Sequence, residues 1–151
     1  MNRLIICRGL PASGKTTWAK EWVIRDPEHR VRINQDDIRL MLGKYWVPSR
    51  EKLVQHIQEE AIIEALDRGY DIVIDNTNLN KKVIDNYRAL VIAYGNHEIV
   101  YEDFFNVSIG ECLRRNAIRN ASLPKDMQIA DEVIVGMYET YKDIYNLKAN
   151  N

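Results

Sequence analysis

Cysteine is scarce in this chain, with only Cys7 and Cys112 present. Two thiols do not make the disulfide framework of a small secreted domain, so a reducing cytosol is the expected compartment. Long apolar runs are missing as well. None approaches the ~18 residues of a membrane span, so no membrane association is expected. The opening stretch MNRLIICRG turns polar and glycine-bearing too early for a secretory signal. With 7 glycines and 4 prolines, the composition is not that of a fibrous or disordered chain. Neither sign of charge dominates, and the formal net charge is −1. Proteins that coat long DNA are usually clearly basic, so a nucleic acid bound here is expected in a local pocket or tunnel. His29, His56 and His97 show no metal-ligand spacing, and no zinc motif or D-x-D-G-T phosphatase nucleophile occurs.

What is present fits one domain over residues 1–151, with 46% hydrophobic and 28% charged residues. Short apolar runs alternate with helical ones. Strands are expected at residues 3–8, 30–34, 71–75 and 98–105. Helices are expected at 15–25, 37–42, 49–68 and 81–94, from Ser108 onward, and at 129–146. In the long helix Leu53, Ile57, Ala61 and Ala65 are expected to share a buried face, with Gly69 as its C-terminal cap. Ser108 and Glu111 have capping-box spacing. In the last helix Ile134, Met137, Tyr138, Tyr141 and Ile144 mark the apolar side. Strands alternating with helices indicate an α/β domain with a parallel sheet. Trp18, Trp22 and Trp46 read as packing, although Trp46 falls in a loop.

The most specific signal is Gly9-Leu-Pro-Ala-Ser-Gly14-Lys15-Thr16, which fits G-x-x-x-x-G-K-[ST] between a strand and a helix. Glycines let the backbone wrap an anion so that successive N–H groups point inward. The next helix adds the positive end of its dipole. Lys15 supplies a point charge for the β- and γ-phosphates of ATP or another nucleoside triphosphate, and Thr16 a hydroxyl for Mg²⁺. Gly9, Ala12, Ser13, Gly14, Lys15, Thr16 and Thr17 are the expected nucleotide contacts.

Three further groups belong to the same chemistry. Asp36 and Asp37 follow the second strand, where chemistry gathers in parallel α/β sheets. One aspartate is expected to cap the helix and the other, Asp36, to accept a proton from an attacking hydroxyl. Arg39, one turn on, suits a phosphate on the acceptor. Asp75 ends the DIVID strand and is expected to support Mg²⁺ beside Thr16. The asparagines after it are mostly turn residues, with Asn78 assigned to substrate. Arg115 and Arg119 share a helix face and suit the charge of a transferring phosphoryl group. Residues 120–126 interrupt that helix as a lid would.

GLPASGKTTWAKEW, INQDDIR, DNTNLN, LRRNAIR and the start near IADEV, in this order along nearly the whole chain, resemble the kinase domain of phage-type polynucleotide 5′-hydroxyl kinases. The resemblance implies a P-loop kinase fold: a four-stranded, or five-stranded, parallel sheet flanked by helices with a helical lid. It implies ATP with Mg²⁺ as donor and the 5′-hydroxyl ends of DNA or RNA as acceptor. By the same likeness Lys15, Asp36 and Arg119 would be catalytic, Arg39 would hold the phosphate beside the hydroxyl, and Arg115 would lie near the nucleotide. A homo-oligomer is compatible with it. Asp75-Asn76-Thr77 resembles the wider group of small-molecule kinases at least as well, so a sugar, nucleoside or antibiotic hydroxyl is an alternative acceptor. A nucleotide-binding switch with no acceptor is a third reading.

Overall fold

The computed structural model describes residues 1–150 and contains one sheet of four parallel strands in the order β2-β3-β1-β4. These are β1 (Arg3–Arg8), β2 (Arg30–Ile33), β3 (Asp71–Ile74) and β4 (Glu98–Asp103). Around them lie α1 (Lys15–Ile24), α2 (Gln35–Met41), α3 (Glu51–Asp67), α4 (Lys81–Tyr94), α5 (Ile109–Asn120) and α6 (Asp131–Tyr145). Single 3₁₀ turns precede α3 at Pro48–Arg50 and α6 at Lys125–Met127. Among the described residues no fifth strand joins the sheet. Every element expected from the sequence is present, with ends displaced by no more than two residues.

Parallel neighbours must be joined by crossovers, and the helices supply them. β1 lies between β3 and β4 and is covered on both faces. Leu4 and Ile6 pack with Ile72 and Ile74 against Ile62 of α3 and Tyr87 of α4. Ile5 and Cys7 pack with Val73 against Ala19 and Trp22 of α1. Burial on both sides is why RLIICR is a continuous apolar run rather than an alternating one. A third cluster of Leu10, Leu79, Cys112, Ile134 and Leu147 fixes α5 and α6 against the loops that leave β1 and β3.

Two amphipathic faces differ from expectation. α3 buries Val54, Gln58, Ile62, Ala65 and Leu66, while Leu53 is 46% exposed. A strict spacing of four residues drifts around a helix that turns every 3.6, so the stripe begins outside the interface at Leu53 and reaches it only at Ala65. In α6, Ile134 is buried but Ile144 is 71% exposed. Gly69 does close α3. At φ +76 it donates to Leu66 O, and Tyr70 donates to Ala65 O, both at 3.1 Å, which completes a Schellman turn.

Candidate active site

The chain leaves β1 at Arg8 and turns into α1 through a loop with two left-handed residues, Ala12 (φ 64) and Gly14 (φ 103). Gly14 is the N-cap of α1, and no side chain satisfies the first helical amides. Those open N–H groups at a helix N-terminus form an anion nest. Over it lies a cavity of about 380 Å³ lined by Ala12, Ser13, Gly14, Lys15, Thr16 and Thr17, with Arg115 and Arg119 of α5 opposite. Gly9 does not line this cavity, contrary to its assignment as a nucleotide contact. Its N–H donates to Thr77 O at 3.1 Å. An added Cβ would meet Ser13 Oγ at 2.8 Å and Phe104 Cβ at 3.0 Å, so the glycine serves close packing beneath the loop.

Lys15 is 6% exposed, and its Nζ donates to Gly9 O (3.0 Å), Leu10 O (2.6 Å) and Ser13 Oγ (3.3 Å). Burial lowers its pKa to about 8. The ammonium is thus parked on carbonyls of its own loop, beside the place an anion would fill. Arg119 donates to Asn116 Oδ1 at 2.8 Å. Asn116 is fully buried and donates to Ile129 O at 2.7 Å, which fixes the arginine's support. Arg115 is aimed by Glu111 at 2.8 Å. That pairing uses the carboxylate expected to close a capping box, so the box is half made: Ser108 Oγ accepts from Glu111 N at 3.1 Å. The segment expected as a lid is tied back to α5 by Gln128, which donates to Asn120 O and Leu123 O at 3.1 and 3.0 Å.

Asp75 follows β3, with its carboxylate wholly buried. Oδ2 accepts from Arg32 Nε at 2.9 Å, while the equally buried Oδ1 has no protein partner. Burial raises its pKa; Arg32 and the Thr16 hydroxyl pull it down. An unpartnered buried carboxylate oxygen beside a threonine hydroxyl suits a divalent cation. Among the described residues no cluster of three or more His, Cys, Asp or Glu surrounds it. An ion here would therefore draw its other ligands from phosphate and water, which is the habit of Mg²⁺.

A second cavity, of about 260 Å³, adjoins the first and is lined by Lys15, Thr16, Asp36, Arg39, Tyr45, Asp75 and Arg119, with Ile129, Val133 and Met137 as an apolar wall. Neither aspartate caps α2, a correction to the sequence reading. Asn34 holds extended geometry at the end of β2, and its side chain accepts from Asp37 N at 2.9 Å. Asp37 instead accepts from Arg32 (2.5 Å) and Asn34 (3.1 Å). Asp36 turns to the cavity. Its Oδ1 accepts from Arg39 Nη1 and from Tyr45 Oη, each at 2.7 Å, and among the described residues Oδ2 has no hydrogen-bond donor. Arg39 is also gripped by Glu51, with contacts of 2.5, 3.0 and 3.2 Å.

Tyr45 and Glu51 are site residues that sequence reasoning missed. Neither sits in a motif: Tyr45 reaches Asp36 from the loop after α2, and Glu51 reaches Arg39 from the first turn of α3. Asn78 is a second correction. It is 3% exposed, donates to Cys7 O (2.7 Å) and Ile74 O (3.0 Å), and accepts from Tyr87 Oη (2.8 Å). Its amide joins β1 and β3. Trp18 and Trp22 stack on each other at 6.3 Å, as expected of packing residues. Cys7 is buried, which pushes its thiol up to about 12, so it acts as a core residue. No helix among the described residues is long and apolar enough to cross a membrane.

The likeness read from the sequence is borne out by comparison with known proteins. A protein described as a bifunctional polynucleotide kinase/RNA ligase from Autographa californica nuclear polyhedrosis virus is 25% identical over 165 residues, covering 99% of this chain and 22% of that protein. The L-seryl-tRNA(Sec) kinase of Methanococcus maripaludis is 28% identical over 142 residues, covering 91% of this chain and 52% of that one. Among solved structures, a chain in the Pnkp1/Rnl/Hen1 RNA repair complex superposes with a TM-score of 0.74 at 26% identity, covering 97% of this chain and 47% of that chain. This chain thus spans about half the length of these relatives, or less. The family described as an AAA domain matches residues 4–144, and the chain belongs to that family, as a P-loop domain similar to the kinase portion of polynucleotide kinases.

Proposed function

We propose that this domain is an ATP-dependent polynucleotide 5′-hydroxyl kinase. The observation that carries this reading is the meeting of two cavities: Ala12, Lys15, Thr16 and Arg119 line both the donor cavity and the cavity of Asp36 and Arg39. A γ-phosphate resting on the loop would be exposed to an acceptor in the second cavity without leaving the protein.

The chemistry follows from what each group can do. Asp36 Oδ2 takes the proton of the 5′-hydroxyl. The hydroxyl oxygen bonds to the γ-phosphorus while the bond to the β,γ-bridging oxygen breaks, and ADP departs. Tyr45 and Arg39 hold Oδ1 and so orient the other oxygen. Lys15 leaves the Gly9 and Leu10 carbonyls for the phosphates, and Arg119 and Arg115 stabilise charge on the transferring group. Asp75 and Thr16 would hold Mg²⁺, which when bound supplies positive charge to the phosphate oxygens. Arg39 turns part of its guanidinium from Glu51 to a phosphate beside the hydroxyl.

A second reading, a kinase for a hydroxyl outside a polynucleotide end, draws on the likeness to the L-seryl-tRNA(Sec) kinase and on the pairing of Arg39 with two carboxylates. γ-Labelled ATP offered to 5′-hydroxyl oligonucleotides and to a panel of small hydroxyl compounds separates the two. Label on the oligonucleotides is expected; label only on small compounds would refute the leading reading. Asp36→Asn should lower transfer by about 10²–10⁴-fold while nucleotide still binds, since proton transfer contributes on that scale.

A further inference from the structure

Trp46 stands out among the chain's tryptophans because it is not packed away: it is 48% exposed, whereas Trp22 is 6% exposed and stacked against Trp18. A single exposed aromatic is ordinary by itself. Its position is what gives it meaning. Its neighbour Tyr45 reaches into the acceptor cavity and donates to Asp36. The Arg39 guanidinium lies under both rings, 5.9 Å from the centroid of Tyr45 and 5.7 Å from that of Trp46. The loop is held in place, since Arg50 donates to Leu42 O at 2.9 Å and to Lys44 O, and Gly43 makes the turn at φ +112. Lys44 is exposed on the same loop.

An exposed aromatic face with cations beside it is how proteins hold single strands without reading sequence, because every base has a π-face and every linkage a phosphate. We infer that Trp46 is a stacking platform, outside the acceptor cavity, for a base of a single-stranded polynucleotide whose 5′-terminal nucleotide occupies that cavity. This rests on the polynucleotide reading above and names the part of the acceptor that it grips. It also accounts for a grip on nucleic acid by a chain whose net charge is −1. One ring, with the Arg39 guanidinium beside it, stands in for a basic surface.

The test has two arms. In the first, kcat/KM is measured for a ten-nucleotide 5′-hydroxyl oligothymidylate and for thymidine 3′-phosphate with the parent, Trp46→Ala and Trp46→Phe proteins. The ratio of the long to the short acceptor should fall about fivefold or more in Trp46→Ala, in line with the loss of one stacked base, and should largely survive in Trp46→Phe. An unchanged ratio in Trp46→Ala would overturn the platform. In the second, the same oligothymidylate is titrated without ATP while tryptophan fluorescence is read. Quenching in the parent that vanishes in Trp46→Phe supports the platform; quenching that persists undiminished, or is absent from the parent, overturns it. The two claims fail separately: saturable quenching with no phosphate transferred to any oligonucleotide would refute the kinase assignment and leave the platform standing.

Discussion

The donor cavity is walled by one continuous stretch, Ala12 to Thr17, and two arginines of a single helix. The acceptor cavity gathers Asp36 and Arg39 from α2, Tyr45 from the loop that follows, Asp75 from the end of β3, and an apolar wall from α6 and its approach. The first is built by local backbone geometry, with amides that α1 leaves open. The second is built by side chains that hold each other across sequence distance, in the chain Glu51–Arg39–Asp36–Tyr45. A backbone nest is insensitive to the identity of most of its residues. A side-chain network fails when one member is lost. The two regions therefore should respond differently to substitution.

Beside the loss already expected of Asp36→Asn, the largest effect is expected where the regions overlap. Lys15→Met should lower transfer about 10²–10³-fold by removing a charge aimed at the transferring group, and it should act alike on every acceptor. Initial rates at saturating ATP over an acceptor panel check this, and a strong acceptor dependence would place Lys15 on the wrong side of the site. On the acceptor side alone, Arg39→Ala should raise KM for phosphate-bearing acceptors about 10-fold or more, the loss of a charge-assisted hydrogen bond, and leave nucleotide affinity untouched. An equal rise for acceptors with and without a phosphate would break the assignment. Asn78→Ala separates a structural residue from a site residue. Losing three buried hydrogen bonds should cost about 2–3 kcal/mol of stability and lower Tm, without a selective rise in acceptor KM.

The last effect is a pH dependence. Burial lowers the Lys15 pKa to about 8 from an ordinary value of 10.5. Between those values the unfolded chain binds the proton that the folded one has released, so stability contributed by Lys15 rises with pH across that window. Thermal unfolding of the nucleotide-free protein from pH 8 to 10, minus the same series for Lys15→Met, isolates the term. Nucleotide binding re-protonates the lysine, so affinity for ATP should weaken above pH 8 in the parent only.

Much of the fold was legible because strands buried on both faces and helices closed by Gly69 or capped at Ser108 carry local signals. The nest at Gly9–Thr16 was legible for the same reason. The roles within it were less so: Gly9 and Gly14 look alike in a motif, but one packs against Phe104 and the other opens the helix terminus. Asp36 was found by its place after a strand, whereas Tyr45 and Glu51 were invisible because their partners lie 9 and 12 residues away on other elements. Asn78 was misread because an asparagine facing a ligand and one bridging two buried strands have the same letter and the same loop.

The central claim is that donor and acceptor meet over Lys15 and Thr16 and react in one step. ATP made chiral at the γ-phosphorus with oxygen isotopes tests it most directly. Transfer to a 5′-hydroxyl oligonucleotide should invert the phosphorus configuration, as a single in-line displacement between adjoining cavities requires. Retention would mean that the phosphoryl group rests on the protein between two displacements, and would contradict the account.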